Sequence, residues 1–449
     1  MATARFISWA AIGLLWVLAI WHSWTCRGLF VDGSKLLIDL VQNHWFITFR
    51  GPRLHTEVAG QILPLLGIKA GITDLHRLAQ LLSLDLFGLP TLFYSLALWR
   101  ARHQPVLLGA VLTAVAIVFM TTSFFIVGEY NTAYAVAVMS AVWIAMTDRL
   151  RVGGGLFLLA VAYFFSRSYE ATLFLGPLLA AIAVWRTMTV PSRSRFATAI
   201  YALAGVTFLS GLVVAVVSLA EPFDPEHLET TYRNVTNFWM NLQFDLSLAP
   251  AIVIAVWAIV RPSDLMRPAP FVCASLFAVL LALSPLLVLA DLPVRPMARA
   301  QYVARFSGGA VIAAVLVFMW AYVSPLGRSL PALAVLREPI VARRFVGFAG
   351  LLLVASVPAD IMLTATWSHY LDTLKTVVRS HRGVVAIENT ALARSPAVLL
   401  VEDWSMPSQS LAVRSKPGDG VVAPFRSYRG WSPFPPEKAP DIGPYVWRD

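Results

Sequence analysis

Apolar runs separated by short, arginine-bearing links constrain this chain more than any other feature. They lie near residues 6–24, 78–99, 106–125, 130–146, 153–165, 171–185, 197–220, 248–260, 271–290, 308–323 and 345–366. Runs of roughly 15–24 apolar residues read as membrane-spanning helices. The chain is 58% hydrophobic with a mean hydropathy of +0.69, against about 45–50% apolar residues in soluble domains. The sequence therefore predicts an all-α polytopic membrane protein with about eleven transmembrane helices.

The links alternate in charge. One set carries Arg100 and Arg102, Arg149 and Arg151, Arg186, Arg193 and Arg195, Arg261 and Arg267, then Arg328, Arg337, Arg343 and Arg344. The links between them are nearly devoid of positive charge: 121–129 has no basic residue and 166–170 has one. The positive-inside rule puts the N-terminus in the cytoplasm, and the loop 25–77 and the C-terminal segment outside. This layout suits a bacterial inner membrane, with the C-terminus periplasmic. It also accounts for the net charge of +10 without nucleic acid as a partner. The first run ends in Trp21-His22-Ser23-Trp24, not in the small residues of a cleavage site, so it reads as a retained anchor. Cys26 and Cys273 are too few for a disulfide framework.

The organisation follows. Residues 1–366 read as a transmembrane helical domain that includes the outer loop 25–77. Residues 367–449 read as a small α/β or irregular outer domain. In the loop, Leu36, Leu37, Leu40 and Val41 suit a short amphipathic helix, and Val58, Ile62, Leu65 and Leu66 repeat the pattern around Pro64. Such pieces lie in the interface plane, so the loop is expected to hug the membrane as a cap. Residues 367–382 read as an amphipathic helix, and 384–387 and 397–401 as short strands. From Pro407 onward the chain is rich in Pro, Gly, Trp and Tyr.

Three runs, 153–165, 171–185 and 248–260, are shorter than the roughly 17–25 residues of a span. The first two flank Ser166-Arg167-Ser168-Tyr169-Glu170. Short helices meeting at a charged link imply that the link is recessed, and ionisable groups at that depth are costly and commonly functional. Arg167, Tyr169 and Glu170 are therefore candidates, although Arg167 and Glu170 also suit a structural pair. Gly128-Glu129-Tyr130-Asn131 has a similar position and reads as readily as a helix start. Arg295, Arg299, Tyr302 and Arg305 stand in the last outer link, against the charge rule. They suit an anionic ligand or ion pairs with acids such as Asp291, Asp224, Glu226 and Glu229.

The loop itself holds Asp32, in Phe30-Val31-Asp32-Gly33-Ser34, and the cluster Arg50, Arg53 and His55 around Gly51-Pro52. A carboxylate at Asp32 suits a general base; an interfacial Asp-Gly turn explains it equally well. Arginine forks match phosphate oxygens, and interfacial arginines also meet lipid headgroups. The aromatics Trp404, Trp431, Tyr445 and Trp447 suit sugar stacking, with packing the commoner use. There is no P-loop, no His-Glu-x-x-His and no Gly-x-Ser-x-Gly. Any bond made here must draw its energy from an activated substrate.

One anchor, a large outer loop with an acid near its start, further helices and a small outer C-terminal segment together resemble the GT-C superfamily of membrane glycosyltransferases. The resemblance is one of topology. It implies transfer of a sugar from a polyprenyl-phosphate carrier to an envelope glycan or lipid acceptor on the outer side. It implies Asp32 as catalytic base, at the position where the family carries an outer-loop acid; this chain has one aspartate there where some subfamilies have paired acids. Arg167, Arg299 and Arg305 would then offset charge on the leaving phosphate. No cofactor is required; a divalent metal held by Asp32 and an acid such as Glu170 is compatible. The rival expectation is a transporter or flippase for a lipid-linked or anionic solute, since interrupted helices beside a charged link also mark transporters. No inverted repeat accompanies them. A third is a non-catalytic envelope assembly factor.

Overall fold

The computed structural model describes residues 2–49, 51–122, 129–147, 149–189, 195–220, 241–291, 297–394, 403–425 and 434–449. Apart from turn residues at 146, 171 and 283, every predicted apolar run falls on helix where it is described. The main bundle helices are α1 (Ala2–Trp24), α5 (Leu75–Ala101), α6 (Pro105–Ala114), α7 (Glu129–Ala145), α8 (Val152–Ser166), α9 (Thr172–Thr189), α10 (Arg195–Ala220), α11 (Leu242–Val260), α12 (Ala269–Ala282), α13 (Ser284–Asp291), α14 (Met297–Val323) and α15 (Pro339–Ser380). Between α1 and α5 the outer loop forms α2 (Asp32–Asn43), α3 (Leu54–Ala59) and α4 (Ile62–Lys69). Among the described residues seven helices are long and apolar enough to cross a membrane, and three shorter ones are apolar. Large apolar side chains cover their outer faces: Phe6, Trp9, Val17, Val206, Val213, Ile259, Leu276 and Val354 are all exposed. A soluble protein does not present such a surface. The chain is a helical membrane protein.

Helix α7 is the centre of the bundle. Every residue from Tyr130 to Val142 is buried, which is the signature of a helix surrounded on all sides. It packs against α5 and α14. Small residues let backbones approach in such bundles. At the α9–α10 crossing a Cβ on Gly176 would lie 2.6 Å from the Phe208 carbonyl oxygen. Thr172 on α9 donates to the Gly211 carbonyl of α10 at 3.1 Å.

A second apolar core lies at one end of the bundle. It unites Leu29 to Val41 of the loop, Leu75 to Leu86 of α5, Leu363 to Val378 of α15, and buried residues between Ile387 and Trp447. Helix α15 joins the two cores. Its 42 residues span about 63 Å at 1.5 Å per residue, twice the roughly 30 Å of a hydrocarbon core. The amphipathic helix expected over 367–382 is therefore the second half of α15, and the expected domain boundary at 366/367 falls inside that helix, at the fully buried Trp367. Strand β1 (Val384–Ala386) lies where a strand was expected and pairs in parallel with β2 (Val421–Ala423), Val384 opposite Val421. The strand expected at 397–401 lies outside the described residues. The C-terminal stretch returns to the loop. The Leu75 amide donates to the Val446 carbonyl at 2.9 Å, and the Trp447 ring stacks on His76 at 4.4 Å.

In the loop, α2 buries Leu37, Ile38, Leu40 and Val41. The break in the next amphipathic stretch comes at Gly60 and Gln61, between α3 and α4. Pro64 sits in the first turn of α4, where a missing amide costs nothing.

Two outcomes follow. Gly176→Ala forces α9 and α10 apart and lowers the melting temperature in detergent by several degrees, corresponding to about 1–3 kcal/mol. Gly347→Ala, which meets nothing within 4 Å, leaves it unchanged or raises it slightly; equal effects would refute the close crossing. The second outcome concerns Cys26, whose thiol burial pushes up to about 12. The unfolded thiol ionises first, so this group's contribution is intact below its ordinary value of 9.0 and is lost as pH rises toward 12. In a Cys273→Ser background Cys26 therefore resists maleimide at pH 8 until denaturant is added, and Cys26→Ala removes that share of alkaline destabilisation.

Candidate functional site

Helix α8 has 15 residues, about 22 Å at 1.5 Å per residue, and stops short of a full span. Its end is fixed by side chains that compete for backbone: Ser166 Oγ donates to the Tyr163 carbonyl at 2.8 Å and Ser168 Oγ to the Phe164 carbonyl at 2.7 Å. Ser166, Ser168 and Tyr169 are buried, while Arg167 and Glu170 are half-buried.

The outer loop docks on this link. The His55 amide donates to the Arg167 carbonyl at 3.0 Å, and Thr56 Oγ1 donates to the Ser168 carbonyl at 2.6 Å. His55 Nδ1 lies 3.0 Å from the Phe164 carbonyl, which makes it the protonated nitrogen, and the ring packs 4.6 Å from that of Tyr163. Arg53 sits between two acids from different helices. Its Nε donates to Glu170 Oε1 at 2.7 Å, its Nη1 donates to Glu129 Oε2 at 2.8 Å, and its guanidinium covers the Tyr169 ring at 5.1 Å. Burial works against the Arg53 charge, but Glu129 and Glu170 outweigh it and hold the group well above its ordinary pKa. Arg167 turns back: its Nε donates to the Gly51 carbonyl at 3.0 Å. Among the described residues no carboxylate pairs with Arg167.

The structure thus gathers Arg53, His55, Arg167, Tyr169 and Glu170, drawn from the sequence in two separate groups, and adds Glu129. Arg53 and Glu170 serve each other and Glu129; Arg167 keeps its full charge. Asp32 stands elsewhere, exposed at the first position of α2. Among the described residues it makes no hydrogen bond or ion pair with the cluster. The helix dipole favours an acid there. The preceding Val31 has φ +46° and ψ −111°, a conformation that costs a β-branched residue about 1–3 kcal/mol. Arg299, Tyr302 and Arg305 fall on α14, and their side chains lie outside the described residues, as do Arg50, Arg295, Asp224, Glu226, Glu229 and Trp431. Tyr445 and Trp447 are buried in the second core. Among the described residues no three metal-ligating side chains come together.

Sequence reasoning passed over a second ionic group. His22, at the end of α1, the fully buried Arg27 and Asp360 of α15 form a network closed to water. Arg27 Nη1 donates to Asp360 Oδ1 at 2.7 Å and to Thr364 Oγ1 at 2.8 Å. His22 Nε2 lies 2.8 Å from Asp360 Oδ2. The signal was an aspartate inside the last apolar run.

No protein-family model, curated protein or solved structure matches this chain.

Arg53→Gln strands two carboxylates and destabilises the protein by up to the lower end of about 3–5 kcal/mol, read as thermal unfolding in detergent. Adding Glu129→Gln and Glu170→Gln to that variant restores most of the loss. A triple variant as unstable as the single one would show that the ion pairs are not the cause.

Proposed function

We propose that this protein is a membrane glycosyltransferase of the GT-C type, moving a sugar from a polyprenyl-phosphate carrier to an envelope glycan or lipid acceptor. In this reading the eleven apolar runs cross the bacterial inner membrane with α8 ending short of its outer surface, the N-terminus is cytoplasmic, and the second core, with its C-terminal segment, is periplasmic. The observation that carries the reading is Arg167, a half-buried cation without a carboxylate partner among the described residues, held against the outer loop at the end of a short helix. An anionic group arriving from the lipid side meets it there.

The chemistry balances without a further reactant. The acceptor hydroxyl gives its proton to the Asp32 carboxylate, which stands apart from the Arg167 cluster, so the bound donor and acceptor together must span the distance between the two. Its oxygen bonds to the anomeric carbon as the bond from that carbon to the carrier phosphate breaks. The phosphate leaves with the electron pair, and a guanidinium held beside it stabilises that charge. Arg299 and Arg305, on α14, are further candidates for the same task. Arg53, neutralised by Glu129 and Glu170, is assigned to positioning; His55 and Tyr169 line the docking surface. The strain at Val31 supports a functional role for the turn that presents Asp32. Metal is not needed for any of these steps.

The break between α8 and α9 beside a charged link also fits a transporter of lipid-linked solutes. One experiment separates the two. The purified chain is placed in proteoliposomes with a polyprenyl-phosphate-linked sugar, and transfer and transmembrane flux are both measured. The expected result is that Asp32→Asn abolishes transfer but keeps carrier binding, while Arg167→Ala weakens binding by tenfold or more, about 1.4 kcal/mol. Full transfer by Asp32→Asn rejects the base. Flux that survives Asp32→Asn and fails with Arg167→Ala, with no transfer by the unaltered chain, establishes the transporter instead.

A further inference from the structure

Outside the bundle, the first outer loop exposes large apolar side chains that a water-facing loop would bury. Trp45 is 64% exposed, Phe49 52%, Ile62 42% and Leu66 60%. Ile62 and Leu66 lie one turn apart on one face of α4, and Lys69 follows on that face. Lys69 Nζ lies 5.9 Å from the Trp45 ring centroid, which ties residues 44–49 to the same face. Those residues are strapped in place. The Ile47 amide donates to Gln61 Oε1 at 2.8 Å, Gln61 Nε2 to the Ile47 carbonyl at 2.6 Å, and the Phe49 amide to Glu57 Oε2 at 2.9 Å. Lys35, which also pairs with Asp39, places its Nζ 5.0 Å from the Phe49 ring. Each of these two rings therefore carries an ammonium.

We infer that the strap 44–49 and α4 lie in the headgroup region of the bilayer, with Trp45, Phe49, Ile62 and Leu66 about 5–10 Å into the acyl boundary. The occupant of this surface is lipid, preferentially anionic. Lysine stems laid along apolar surface with the charge at its edge are how side chains meet that boundary, and tryptophan is enriched there. A protein partner fits less well, because lysine is depleted in protein interfaces. Gly51, whose carbonyl holds Arg167, is two residues beyond Phe49. That is at most about 7 Å of chain, so Arg167 stands close to the embedded strap. Its use there for a carrier phosphate rests on the proposed function; the embedding does not.

The test labels Leu66→Cys, in a Cys273→Ser background, with an environment-sensitive fluorescent maleimide in nanodiscs of mixed anionic and zwitterionic phospholipid. Ile62→Cys serves as a second site and the exposed Glu388→Cys as reference. Labels at 66 and 62 emit to the blue of the label at 388 and are quenched by lipid spin-labelled near the headgroup. They are quenched less by lipid labelled at the chain end. Emission at 66 and 62 matching that at 388 overturns the inference. So does blue emission without quenching by either lipid, which would mean protein covers the patch. Loss of sugar transfer with the embedding intact would count against the proposed function alone.

Discussion

The buried ion pair between Arg27 and Asp360 is the constraint on which the two halves of this molecule depend. Both side chains are only 1% exposed. A lone buried charge costs several kcal/mol even after relaxation, so neither residue tolerates separation from the other. Arg27 opens the outer loop and Asp360 lies within α15, beyond Pro358. Their contact fixes where the loop begins relative to the helix that carries the second core. His22 extends the clamp to the end of α1. The turn at Phe30–Asp32 is thus anchored three residues after Arg27, and Phe30 packs edge-on against Trp367 at 5.6 Å. Position at this end of the bundle is set by charge, where the remainder of the bundle is set by apolar packing.

The middle of the same loop is held by the same logic. Arg53 crosses to Glu129 and Glu170, and the α3 backbone bonds to the link after α8. With an ionic clamp at 27 and another at 53, the first half of the loop is fastened at both its ends to the bundle. The segment between them has few ways to move independently. The loop therefore behaves as part of the bundle's wall, which the shared second core with the C-terminal segment reinforces.

Much of the fold was legible because hydrocarbon is a demanding solvent. Runs long enough to be helices, and small amphipathic pieces such as 34–41, follow from periodicity alone. The link at Ser166–Glu170 drew notice because the runs on both sides read as too short for the bilayer, but only α8 is short: α9 has 18 residues and α11, expected to be short as well, has 19, and both are long and apolar enough to cross. Pairings were less so. That Arg53 would meet Glu170, 117 residues away, depends on how the loop folds back, and no local pattern encodes that. Glu129 looked like an ordinary helix start, and its partner came from another element. Arg27 and Asp360 are 333 residues apart, and only the cost of an aspartate in an apolar run hinted at the pair. The continuity of α15 was hidden for a different reason. The change from all-round apolar to amphipathic at 366 reads as a boundary in the sequence, and one unbroken helix runs through it.

The division of labour among the arginines follows from charge arithmetic. Arg53 carries one positive charge against two carboxylates within hydrogen-bond distance, so its charge is engaged by acids of this chain. Arg167 bonds a neutral carbonyl and keeps its charge. Two unit charges 4 Å apart interact by about 4 kcal/mol at an effective dielectric of 20. An anion beside Arg167 gains on that order before desolvation is counted, whereas beside Arg53 the acids cancel it. The residue that looked from sequence like half of a phosphate clamp is then the brace that keeps Gly51 in place. Gly51 in turn orients the guanidinium that remains available.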